Sequence, residues 1–125
     1  MTIYFGDGSN QTTAASSVNS QALAKVWARY GCDDTTLDDS YNVSSVSSTS
    51  SGAFTLNFST SFANTNYAVA CSACREGTTS DAVPMVAGTR KDGFATGSCR
   101  INNGWQPNQH MYNTEAIGVV IFGDQ

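Results

Sequence analysis

The residues that most constrain this chain are Phe54, Leu56 and Phe58, which alternate with Thr55 and Asn57. A period of two sends successive side chains to opposite faces of a sheet, so this stretch reads as a strand with one buried and one wetted face. Neighbouring segments repeat the signal. Tyr41, Val43 and Val46 form a weaker apolar series whose spacing breaks the period, as a β-bulge or an early strand end does. Tyr67, Val69, Cys71 and Ala73 form another alternating run after an Asn64-Thr65-Asn66 turn.

The rest of the chain extends this pattern. In residues 23–30, Lys25, Trp27 and Arg29 share one face of a strand, and Val26, Ala28 and Tyr30 share the other. Residues 32–39 read as an acidic connection. Residues 83–89 and 94–101 read as strands joined by an Arg90-Lys91-Asp92-Gly93 hairpin turn. Gly97 then falls inside a strand as a bulge or close contact. Residues 116–122, AIGVVIF, are apolar at positions of both parities and are expected to form a central or covered strand. About seven strands with regular turn signals predict an all-β fold, an antiparallel β-sandwich or small barrel.

Composition sets outer limits. The 125 residues are 40% hydrophobic and only 13% charged, which suits one strand-rich domain better than long surface helices. A net charge of -4 and six Lys and Arg residues, with no basic cluster, argue against nucleic acid as a partner. No apolar run reaches the roughly 18 residues that suggest a membrane span, so no membrane insertion is expected. Without a basic start and apolar segment, the N-terminus does not support export by a secretory signal, and synthesis in a reducing cytosol is expected.

Few residues suggest chemistry. Cys32, Cys71, Cys74 and Cys99 are expected as structural thiols, with a disulfide and a metal site as the alternatives. The Cys71–Cys74 spacing matches half a zinc knuckle, but no second pair follows, and residues three apart on a strand point to opposite faces. Asp33, Asp34, Asp38 and Asp39 form an acidic group without the EF-hand pattern. His110 is the single histidine. No catalytic set, metal site or cofactor is therefore expected, and the enzyme alternative is a glycan-degrading pair drawn from Glu76 and Glu115.

Residues 102–113 read as the longest irregular stretch. Trp105, Asn108, His110 and Tyr112 there are the candidate receptor or subunit contacts, because aromatic rings stack on sugars while amides bond hydroxyls. Residues 1–21 are small and polar, apart from Ile3, Tyr4 and Phe5. They are expected as an extended N-terminal arm that docks to a particle, with a sandwich domain over residues 22–125.

An ordered string runs through this frame: Lys25-Val26-Trp27, then DSYNVSSV over residues 39–46, Gly52, FTLNFST over 54–60, Asn66-Tyr67-Ala68-Val69, and VVIFG over 119–123. It resembles a β-domain family of bacteriophage tail-fibre and other virion fibre proteins, and Gly6-Asp7-Gly8 with Gln11-Thr12-Thr13 is similar to the connector before such domains. The resemblance implies a homotrimeric virion protein assembled in the host cytoplasm. Together with the small polar arm and the lack of a catalytic cluster, it leads to the expectation of a tail-fibre or tail-tip station, contact with other virion proteins through the arm, and attachment to the host surface, where a glycan is a candidate partner. A capsid decoration or head-fibre role is the alternative. The family implies no catalytic residues, and this sequence differs from it in its four cysteines and in reading as a complete short chain instead of a fibre tip.

Overall fold

A computed structural model describes residues 3–4, 6, 10–11, 22–74, 85–105, 110–111 and 114–125. Over these residues the fold is all-β and antiparallel. Ile3–Tyr4 (β1) pairs with Asn10–Gln11 (β2) as a small two-stranded ladder. The remaining strands are Val26–Gly31 (β3), Leu37–Tyr41 (β4), Val43–Ser50 (β5), Ala53–Phe58 (β6), Ala68–Cys74 (β7), Met85–Ala95 (β8), Ser98–Trp105 (β9), His110–Met111 (β10) and Ala116–Phe122 (β11).

They form two sheets, one in the order β4-β3-β11-β7 and the other β5-β6-β9, with β8 and β10 also paired to β9. The core lies between the sheets. Val26, Ala28, Tyr30, Ile117, Val119 and Ile121 come from the first, and Val46, Phe54, Leu56, Phe58, Cys99 and Ile101 from the second. The architecture is a β-sandwich. As its apolar run requires, β11 is central, flanked by β3 and β7.

One residue carries the chain from the first sheet to the second. Asn42, between β4 and β5, has φ 58°, a left-handed conformation that asparagine tolerates better than most residues. Its side chain holds the corner: Nδ2 donates to the carbonyls of Lys25 (3.2 Å) and Thr60 (3.1 Å), and Oδ1 accepts from the Thr60 N–H (2.6 Å). A second fixed point is Tyr67, whose hydroxyl lies 3.0 Å from the carbonyls of both Ala95 and Ser98. Its ring packs among Phe58, Phe62 and Phe94. The break in period after Val43 is a register shift in the β5–β6 ladder, and Gly52 turns that hairpin with φ 70°.

Four sequence expectations need correction. Residues 32–39 are not all connection: β4 begins at Leu37, adding a strand, so that eight strands of five or more residues build the sandwich. This strand hides its signal because Asp38 is the extra residue of a bulge against β3. Arg90-Lys91-Asp92-Gly93 is not the hairpin turn. Those residues lie within β8, where the register jumps from Thr89↔Ile101 to Phe94↔Cys99, so the chain makes an excursion and returns to the same partner. Gly93 is required there, since a Cβ would stand 2.7 Å from the Cβ of Arg100. The reversal comes at Thr96 and Gly97, so Gly97 is a turn residue and not a strand bulge. Finally, residues 102–113 are not irregular throughout: β9 continues to Trp105, and β10 pairs back onto it.

Candidate functional site

The first sheet turns an unusual set of residues outward. Cross-strand register aligns Tyr41, Trp27, Val120 and Ala70 in one row, and Asp39, Arg29, Gly118 and Ser72 in the next. Tyr41 and Trp27 are 57% and 37% exposed, and Phe122 extends the apolar side at the neighbouring Ala68 position. Such aromatics would ordinarily be spent on a core.

Between these rows lies a groove of about 410 Å³, lined among others by Trp27, Arg29, Ala70, Ser72, Gly118 and Val120. Its depth follows from side-chain size. Gly118 has no side chain, Ala70 and Ser72 have short ones, and Trp27 and Arg29 on the adjoining strand are long. A Cβ at Gly118 would meet only the Ser72 hydroxyl, at 3.2 Å. Glycine here is thus not imposed by backbone packing.

The polar row is held by local pairing. The β3–β4 bulge places Asp38 beside Arg29, with Nε to Oδ2 at 3.3 Å. Both side chains are more than half or half exposed, so the pair orients the guanidinium while adding about 0–1 kcal/mol to stability. Asp39 accepts the Ser40 N–H through Oδ1 at 2.9 Å. The row therefore offers donors and acceptors next to an apolar strip.

Of the four cysteines, Cys71 lines the groove. All four are free: Cys32 and Cys99 buried, Cys71 partly buried, Cys74 exposed. Cys71 and Cys74 lie on opposite faces of β7, in keeping with their spacing. Burial pushes the Cys32 and Cys71 thiols up, and Cys99 up to about 11, the reverse of what activates a nucleophile. Cys32 belongs to a buried polar knot in which Asn103 Nδ2 donates to Thr114 Oγ1 (2.8 Å), and that hydroxyl lies 3.3 Å from the Cys32 sulfur. Burial likewise raises Tyr30 and Tyr67 well above the ordinary phenol range.

The acidic residues separate into different settings. Asp34 accepts the Thr36 N–H at 3.0 Å, which lowers its carboxyl below the usual value, whereas Asp38 and Asp39 stand on β4. Among the described residues, no three His, Cys, Asp or Glu side chains gather as a metal site.

Of the residues singled out as contacts, Trp105 and His110 are paired across β9 and β10, and Ile3 and Tyr4 form β1. Asn108, Tyr112 and Phe5 lie outside the described residues, as do residues 75–84, which include Glu76 and the expected strand start at Val83, and residues 12–21. Glu115 is described and exposed. The groove was only partly anticipated: Trp27 and Arg29 share a strand face by parity, but their alignment with Val120, Gly118 and Ser72 depends on register between segments far apart in sequence. No protein-family model matches the chain, and neither a curated protein nor a solved structure matches it significantly.

Proposed function

We propose that this chain is a virion structural domain, a tail-fibre or tail-tip module through which a bacteriophage attaches to its host. The observation that carries this reading is the ordered resemblance string, whose segments fall in chain order on β3 to β7 and on β11 of one sandwich. Its KVW segment enters β3, DSYNVSSV spans the β4–β5 corner, FTLNFST fills β6 and VVIFG closes β11. Such a string supports a shared scaffold, with residue choices at the Asn42 corner and the central strand that this architecture uses.

In this reading the domain acts as a homotrimer and performs no catalysis. The segment around Ile3, Tyr4 and Phe5 docks to neighbouring virion proteins, while the sandwich faces the host. Immunogold labelling of phage particles with antibody against the sandwich tests the station directly. Gold at the distal tail supports the attachment role; gold on the capsid, or on no particle structure, overturns it. Light scattering tests the trimer separately, which requires three times the 13.2 kDa chain mass.

A further inference from the structure

We propose that the groove on the outer face of the β4-β3-β11-β7 sheet binds a neutral oligosaccharide, presented as a repeating unit of bacterial surface polysaccharide. This deepens the attachment reading and rests on it for the biological source of the sugar.

The chemistry of the two rows carries the argument. A pyranose has a C–H face that packs on an aromatic surface and a rim of hydroxyls that must keep hydrogen-bond partners. Here Trp27, Tyr41 and Val120 form the apolar row, while Arg29, Asp39 and Ser72 form the polar row on the same sheet face. Residues two apart on a strand are separated by about 6.7 Å. A ring lying on the first row therefore brings its hydroxyl rim to the second. Gly118 supplies the vacant volume between them. Neither row alone would serve: an aromatic strip would take any apolar partner, and a polar strip would remain hydrated.

Size and charge select the occupant. At a strand spacing of roughly 4.8 Å and a rise of about 3.3 Å per residue, this face measures about 20 Å on a side, or about 400 Å². That is half of the roughly 800 Å² each partner commonly contributes to a stable protein interface, so a second copy of this chain is too large a partner for this face alone. A few sugar residues match it. The polar row carries Arg29 already paired with Asp38, and Asp39 beside it. Arg29 is thus not a free cation for an anionic saccharide, and with the chain at net charge -4 the face suits a neutral one.

The test is affinity electrophoresis of the full chain through native gels cast with dextran, mannan, galactomannan or amylopectin. Retardation in at least one gel is expected. Trp27→Ala should weaken it at least tenfold, and Gly118→Val, which fills the groove with a residue suited to a strand, should abolish it. Thr55→Ala, on the other sheet, should retain it. Thermal melts establish that each variant is folded, and the Gly118→Val result stands if Trp27→Ala fails to fold. Retardation in none of the four gels, or retardation unchanged in both groove variants, overturns the proposal. So does a fall in oligomeric mass on groove substitution, which would make this face a contact between copies. Tail-labelled particles without gel retardation would sink the groove alone; retardation without particle labelling would sink the attachment role alone.

Discussion

The two outward faces of the sandwich share one core and one alternation yet differ in what they present to water. On the second sheet, cross-strand register joins Ser47 to Thr55 and Arg100, and Ser45 to Asn57 and Ser98. Asn57 Nδ2 donates to the Ser45 hydroxyl at 3.1 Å, so part of this surface satisfies itself. The first sheet puts Trp27, Tyr41 and Val120 at equivalent outward positions and sinks a groove at Gly118. Inward residues are dictated by burial on both sheets. Only the outward ones are free to differ, and a contiguous aromatic and polar pairing at such positions points to recognition.

The largest effect should come from the shared core. Leu56→Ala removes a fully buried side chain and should cost about 3 kcal/mol by denaturant unfolding, disturbing both faces together. A loss below about 1 kcal/mol would mean that the inward series is not what both faces stand on. Asn42→Ala comes next, at about 2 kcal/mol, because it loses three hydrogen bonds and places alanine at positive φ at the junction of the two sheets.

Alkali should act through the core in the same way. The unfolded Cys99 thiol ionises near its ordinary 9.0, whereas burial holds the folded one protonated to about 11. Between those values the unfolded chain binds fewer protons, so stability is fully present below pH 9 and falls as pH rises towards 11. The loss is about 2–3 kcal/mol from this group, with Tyr30 and Tyr67 shifted in the same direction. Melting Cys99→Ala across that range should give a shallower decline; an identical decline would remove Cys99 from the account.

The smallest stability effects distinguish the faces. Ser47→Ala or Thr55→Ala should change stability by no more than about 0.5 kcal/mol and leave saccharide binding intact. Trp27→Ala should cost about 1 kcal/mol, since the ring is already partly exposed, yet remove most of the binding. Equal binding losses on both faces would erase the distinction between them.

Much of the scaffold was legible because alternation is local. Phe54, Leu56 and Phe58 place β6, and the doubly apolar AIGVVIF run marks β11 as central. Strand β4 was hidden because its Leu-Asp-Asp-Ser-Tyr run contains a bulge, and its place comes from pairing with β3. The Asp-Gly pair at Asp92 and Gly93 marks a real break in β8, but only the return to β9 at Phe94 shows that the chain does not reverse there. Likewise, the polar residues Asn102 and Asn103 resemble loop until Asn103 is seen buried against Thr114. The groove needed more still, because Ser72 and Gly118 carry no signal until register sets them beside Trp27 and Arg29.

Recognition is where the two faces are expected to differ most, and backbone NMR reads both at once. Titrating the labelled chain with pentasaccharides from dextran and from mannan should shift the amides of Arg29, Ser72 and Gly118 while leaving those of Ser45, Thr55 and Asn57 in place. Shifts confined to the Ser45, Thr55 and Asn57 face, or the absence of shifts at the groove with both sugars, would contradict it.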